Sequence, residues 1–314
     1  MRRTRPVRED SPVARALPVA LVLLGTLVLA YPAVSAWVSE GSQSHAVQSY
    51  VDAVSTHSEE ELAAAWEEAE TYNENLTGDP VHDPFVPGSG YALPDNYASV
   101  LNLGGDGVMA TLEIPSIGLE LPVYHGTSEE VLERGVGHVE QTPLPIGGEG
   151  RRCVLTGHRG LPSAELFTRL DELGEGDLVL LRVLGSTLAY RVYQTEVIEP
   201  DEISKLVAEP GRDLVTLVTC TPYGVNTHRL LVHCERTEYV PGETDDVAAE
   251  AAPVFGDAWM RGLGLALAVA VAVCAGVVAA ARALRRRAGL ARRARAPRPP
   301  GSRGRPRRQT GRRG

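Results

Sequence analysis

A cysteine and an arginine stand nine residues apart in the segment 216–231, which reads TLVTCTPYGVNTHRLL. Cys220 closes an apolar, β-branched run and Arg229 opens a second one. The residues between them include the turn formers Pro222, Gly224 and Asn226, a pattern that predicts two antiparallel strands joined by a loop. In such a hairpin the end of one strand lies beside the start of the next, so thiol and guanidinium can face one pocket. A fixed cation near a sulfur favours thiolate, the nucleophilic form. A lone cysteine is more often packing than nucleophile, so the pairing with Arg229 carries this reading.

A second segment, 154–164, reads VLTGHRGLPSA. His158 ends an apolar strand and is followed at once by Gly160 and Pro162. An imidazole at a strand mouth is exposed enough to exchange protons. It is the natural partner of a cysteine nucleophile, as acid for a leaving group or base for an incoming one. Taken alone, such a histidine is more often structural.

The combination is more specific. VLTGH, then TLVTC, then Arg229 nine residues on resembles the sortases, the membrane-anchored cysteine transpeptidases of Gram-positive bacteria. The resemblance covers roughly residues 108–239, and TCTPYGVNTHRLLV is most similar to class C, the pilin-polymerising sortases. Apolar stretches near both ends and the triplet Asp83-Pro84-Phe85, which matches the lid motif of that class, fit the same resemblance. It implies a mainly β fold, a closed eight-stranded sortase-type barrel with short helices. It implies Cys220 as nucleophile, His158 as general acid and base, and Arg229 as the donor to substrate backbone or oxyanion. In the lid, Asp83 would pair with Arg229 and Phe85 would cover the sulfur of Cys220. The implied reaction cuts an LPxTG-type sorting signal between threonine and glycine through a thioacyl intermediate, then passes the acyl group to a pilin lysine amine. The implied partners are pilins or surface proteins carrying such signals, and no cofactor, metal or nucleotide is required. Thr219, Tyr223 and Asn226 are candidates for substrate contact, with turn formation the default reading for the last two.

Three other functions compete. A housekeeping sortase would attach proteins to a cell-wall amine, but the double anchor and lid argue against it. An L,D-transpeptidase carries its histidine just upstream of its cysteine, whereas His158 and Cys220 are sixty-two residues apart. A non-catalytic surface scaffold would not need Cys220, His158 and Arg229 together.

The elements that must position these residues follow from pattern. The chain has 314 residues and a formal net charge of -9, which conceals a sharp split. Residues 282–314 hold fourteen arginines and no acid, while the acidic middle has about a dozen basic residues, Lys205 being the sole lysine. An acidic middle is a poor nucleic-acid binder, and the basic tail reads as a disordered segment on anionic lipid headgroups. Apolar stretches at 16–37 and 259–281 are long enough to span a bilayer, with arginines on their outer flanks. The positive-inside rule then places the 1–15 segment and the tail in the cytoplasm and the middle domain outside the membrane. Val34-Ser35-Ala36 resembles a cleavage site, so a signal peptide is the alternative to an uncleaved anchor.

Between the apolar stretches, residues 38–106 read as a helical region, capped at Ser58 and Glu61, followed by an irregular, Pro-rich lid loop. Residues 107–242 read as short strands between turns, a closed or nearly closed antiparallel-rich β-barrel. Short helices are expected at 163–170 and 202–207, and 243–258 reads as an acidic linker. Of four cysteines, Cys274 lies in the second apolar stretch and reads as packing. In a sortase barrel Cys153 and Cys234 would flank a common strand, about 9–10 Å apart. That is beyond disulfide reach, so both are expected as free thiols. The eight histidines show no metal-ligand spacing.

Overall fold

The computed structural model describes residues 12–76, 83, 85 and 94–242, and isolated positions between 264 and 287. Pro84, the linker 243–258 and Cys274 lie outside the described residues. The chain divides into two compact units, residues 1–28 with 262–314, and residues 29–261. In the first unit, the positions described between 264 and 287 are helical. The expected second membrane span at 259–281 falls largely outside the described residues, and one helix among those described is long and apolar enough to cross a membrane.

That helix is α1, Pro12–Thr56, which runs unbroken from the apolar stretch into the helical region that follows it. The reason is its face pattern. From residue 29 onward it buries Ala33, Ala36, Gln43, Val47 and Tyr50, a helical spacing that makes one stripe. Tyr50 is 3 % exposed, and its hydroxyl donates to Met109 O at 3.1 Å and accepts from Leu184 N at 3.0 Å. Helix α2, Glu59–Asn75, starts on the expected capping box: Ser58 Oγ accepts from Glu61 N, and Glu61 Oε2 accepts from Ser58 N at 2.8 Å.

The remaining elements form the barrel. Its strands are β1 (Val108–Ile114), β2 (Leu119–His125), β3 (Val136–His138), β4 (Arg151–Thr156), β5 (Leu178–Val183), β6 (Ser186–Ile198), β7 (Asp213–Thr221) and β8 (His228–Thr237). They close in the order β1-β2-β3-β4-β7-β8-β6-β5, the eight-stranded closed barrel expected. Two joints are parallel, β2 with β3 and β4 with β7. Pro115 and Gly118 sit in the β1–β2 turn as the sequence indicates, with Gly118 left-handed at φ 61. The two expected short helices form as 3-10 turns, Leu166–Glu172 and Ile203–Leu206. A six-residue helix, α3 (Glu129–Arg134), and the three-residue β3 were not foreseen.

Every residue of β7 from Leu214 to Cys220 is buried. Its odd-numbered side chains Val215 and Leu217 join the barrel interior with Leu155, Val232, Cys153 and Cys234. Its even-numbered side chain Val218 joins an outer layer with Val139, Val154, Ile198, Leu206 and Leu231. A strand covered on both faces needs a nearly unbroken apolar run, which is why LVTLVTC does not alternate. Cys153 and Cys234 are each registered opposite Val215, one from either side, and both thiols are free.

Replacing Tyr50 by phenylalanine removes one hydroxyl but strands two buried main-chain groups, Met109 O and Leu184 N. The full chain is expected to lose about 1–3 kcal/mol, read as a lowered denaturation midpoint in detergent with unchanged helix content.

Candidate active site

Cys220 and Arg229 are direct cross-strand partners at the loop end of the β7–β8 hairpin. A pair so registered puts both side chains on one face, here the outer face that also carries Val218 and Leu231. The loop between them turns on Pro222, whose carbonyl accepts from Val225 N and Asn226 N, both at 3.0 Å. Asn226 is left-handed at φ 61, a conformation that asparagine tolerates better than most residues.

His158 lies two residues past the end of β4, the strand parallel to β7 on its other edge. Its main chain is held on both sides. Gly157 N donates to Val218 O at 3.2 Å, and Thr219 Oγ1 donates to Gly157 O at 2.7 Å. Phe167 N donates to His158 O at 3.0 Å. Residue 157 must be glycine for this approach, because a Cβ there would lie 2.9 Å from the Phe167 ring. Among the described residues, neither ring nitrogen of His158 has a hydrogen-bond partner, so no third side chain orients the imidazole.

Asp83 and Phe85 cover these residues. Arg229 donates from Nε to Asp83 Oδ1 at 2.9 Å and from Nη2 to Asp83 Oδ2 at 2.5 Å, a bidentate pair. The two side chains are 9 % and 6 % exposed. The Arg229 guanidinium carbon lies 5.0 Å from the Phe85 ring centre, and the Phe85 ring centre lies 5.8 Å from that of His158. One aromatic ring therefore touches both groups that flank the Cys220 strand. Residues on either side of this segment are anchored: Leu144 N donates to Asn73 Oδ1 at 2.7 Å, and Gly126 N donates to Tyr97 Oη at 2.8 Å.

The electrostatics of this covered arrangement differ from the simple expectation of a thiolate beside a cation. Burial pushes the Cys220 thiol up, and its pull exceeds the opposing one of Arg229; Asp83 pushes in the same direction as burial. Burial also pulls His158 down, against the charges of Glu133 and Glu129 on α3. Both shifts favour the neutral thiol and the neutral imidazole. Chemically, the site is a cysteine and a histidine biased to their neutral forms, beside a guanidinium paired with Asp83, on one rim.

The other candidates separate. Thr219 has the parity of the interior-facing Leu217, is 0 % exposed, and its hydroxyl is committed to Gly157. It holds the segment before His158 and does not stand on the open face. Tyr223 is 59 % exposed and packs its ring at Gly160, where a Cβ would lie 3.0 Å from it. Asn226 turns the loop, and its carbonyl accepts from Arg229 Nη1 at 3.3 Å. Pro84 is not among the described residues. Glu129 and Glu133 escaped the sequence reading, because only the unforeseen α3 brings them towards His158.

The family model for the sortase domain matches residues 112–237, a span that holds His158, Cys220 and Arg229. Sortase C-1 of Actinomyces oris is 46 % identical, over 57 % of this chain and 99 % of that one, with a TM-score of 0.53. The chain belongs to the sortase family. Its members are cysteine transpeptidases. A second solved sortase, sortase C1 of GBS pilus island 1, is 40 % identical over 63 % of this chain and 94 % of that one, with a TM-score of 0.58. Sortase D of Bacillus subtilis is 34 % identical over 112 residues, and the match spans 54 % of that protein's length.

The covering segment is tested by replacing Asp83 and Phe85 with alanine. Both the burial and the negative charge that hold the Cys220 thiol up are then reduced, while the pull of Arg229 stays. Alkylation of Cys220 is expected to run severalfold faster at neutral pH, with its pH profile displaced to lower pH. An unchanged rate and profile would remove the covering role.

Proposed function

We propose that this sortase is a class C, pilin-polymerising transpeptidase acting at the outer face of the membrane. The observation that carries the reading is the Cys220–Arg229 cross-strand pair, joined by His158 beneath a segment that fills the Arg229 fork with Asp83. A covering segment of this kind suits an enzyme whose thioester must wait for a particular amine instead of water. The two solved sortases described above are class C sortases, one of them named for a pilus island. The housekeeping alternative has nothing in this geometry to favour it.

The steps follow from the site. Departure of Asp83 and Phe85 frees the guanidinium and rehydrates the rim, so the thiol falls, the imidazole rises, and a proton passes from Cys220 to His158. The thiolate attacks the threonine carbonyl of an LPxTG-type signal. Arg229 donates to the oxygen that gains charge, a donor whose strength grows as the charge develops. The imidazolium gives its proton to the departing glycine amine, leaving a thioester on Cys220 and a neutral imidazole. A lysine amine of a second pilin then attacks the thioester. His158 takes its proton, thiolate leaves, and an isopeptide bond remains. Tyr223, exposed beside Gly160, is placed to touch one of the two peptides.

For topology, α1 anchors the chain, with the barrel outside and both termini in the cytoplasm. An apolar run of this length supports the anchor, and the arginines flanking both apolar stretches support the orientation.

The direct test is incubation of the full chain, in detergent and with Asp83 and Phe85 replaced by alanine, with an LPxTG peptide. Intact mass should show an acyl adduct on Cys220, and a further Cys220→Ala change should abolish it. Arg229→Ala is expected to slow acylation by about 10²–10³-fold, and His158→Ala by about 10²–10⁴-fold. Absence of any adduct across sorting-signal variants would refute the assignment. Transfer to water or a cell-wall amine, but never to a pilin lysine, would refute the class.

A further inference from the structure

Arg159 follows His158 in the chain, and none of the steps above uses it. Its side chain is 9 % exposed. Nη2 donates to Asp171 Oδ2 at 2.5 Å, on the turn Leu166–Glu172. Nη1 donates to Thr221 Oγ1 at 3.2 Å, on the residue after Cys220. The Nε–H is buried and has no acceptor among the described residues. One guanidinium thus joins the residue after the base, the residue after the nucleophile, and the turn whose Phe167 N–H holds His158 O.

A buried donor without an acceptor is unfavourable. An apolar side chain of similar length would fill the same space without that cost, and buried ionic groups are weak contributors to stability. Stability is therefore a poor account of this arginine, and geometry is a better one. The bonds through Gly157 fix the chain before His158. After His158, the Gly160 N–H donates to Thr168 Oγ1 at 3.2 Å, and Arg159 supplies the link to the Cys220 strand. Among the described residues neither ring nitrogen has a hydrogen bond, so within them the imidazole takes its place from its backbone and packing.

We propose that Arg159 is a positioning residue for the cysteine–histidine pair, a planar fork that sets the spacing between the ends of β4 and β7. The proposal rests on the acyl-transfer reading of the site. Arginine suits the task because its donors leave one rigid plane in fixed directions, whereas a lysine offers a point charge on a flexible stem. Proton transfer between sulfur and imidazole is sensitive to small displacements of either end.

The test uses the full chain in detergent micelles with Asp83 and Phe85 replaced by alanine. Two readouts are taken for the otherwise unchanged protein and for Arg159→Met, Arg159→Lys, Thr221→Val and His158→Ala. One is single-turnover acylation of Cys220 by an LPxTG peptide; the other is alkylation of Cys220 by iodoacetamide across pH, which needs no peptide. The other charged groups that bear on the pair are Arg229 on β8 and Glu129 and Glu133 on α3, which these variants leave in place, and Asp83, which is replaced in the parent and in every variant alike. Arg159→Met is expected to slow acylation about tenfold, with the half-saturating peptide concentration little changed. Its alkylation profile should move towards that of His158→Ala. Arg159→Lys should fall between, and Thr221→Val should show the same displacement without adding to Arg159→Met in the double variant. An alkylation profile in Arg159→Met that superimposes on the parent, whatever its thermal midpoint, overturns the proposal. If Arg159→Met does not fold, Thr221→Val removes only the Nη1 acceptor and decides in the same way. Should the parent show a His158-dependent alkylation profile but no acylation, the acyl-transfer reading fails while the alkylation arm still decides the role of Arg159.

Discussion

Strand β7 is hydrogen-bonded along both edges and packed on both faces, and the position of every reactive group follows from that. Its parallel bond ladder to β4 fixes where His158 emerges, and its antiparallel ladder to β8 makes Arg229 the direct partner of Cys220. The interior residues Val215 and Leu217 lock its depth, while Val218 under the outer layer locks its other face. A one-residue slip of this strand would turn Cys220 into the barrel and Thr219 out of it. With both faces apolar and buried, such a slip would still place Thr216 or Thr219 among wrong partners. The two buried threonine hydroxyls, bonded to the Arg152–His233 pair and to Gly157 respectively, thus specify register where hydrophobicity alone would not.

The same burial that makes the strand rigid works against its chemistry. A thiol at the covered end of β7 is pushed up, and an imidazole beside it is pulled down, so proximity to Arg229 does not by itself produce a thiolate. The guanidinium's attraction is shared with Asp83, which faces it closely and contributes the opposite sign. In the proposed mechanism, activation therefore comes from exposing the rim rather than from bringing the groups together. Geometry is built in, and charge is withheld.

Much of this was legible in the residues, and the limits are physical. The hairpin and the Ser58–Glu61 cap are local, each set by patterns within a few residues, and they stand where pattern puts them; β4 ends at Thr156, two residues short of the expected end at His158. Strand β3 has three residues and α3 has six, too short for any period to emerge, so Glu129 and Glu133 could not be placed near His158. The continuity of α1 was masked because its composition changes from apolar to polar near residue 38 while its buried stripe carries on through Tyr50. Thr219 is buried and bonded to Gly157 because adjacency to Cys220 along a strand means opposite faces. The Asp83–Arg229 pair spans 146 residues and came only from a family likeness. The bonds of Arg159 reach 12 and 62 residues along the chain, and no local spacing announces them.

In the proposed mechanism a single guanidinium serves both states of this site, and that sets a constraint on how it opens. In the covered state the Nε and Nη2 edge of Arg229 is matched to a carboxylate, while Nη1 is turned to the carbonyls of Asn226 and His228. A substrate oxyanion needs donors from the same fork, so the covered and reactive states exclude each other without any further device. Removing Asp83 without replacing its charge would leave a largely buried cation unpaired, which is costlier than the intact pair is stabilising. Opening is thus favoured only when water or a peptide can reach Arg229 as the carboxylate leaves. A donor peptide that approaches along the outer face supplies oxygen acceptors at that moment, and it finds His158 uncovered by the same movement because Phe85 lies against both. The proposed function thus couples substrate arrival to site activation through one aromatic ring and one ion pair.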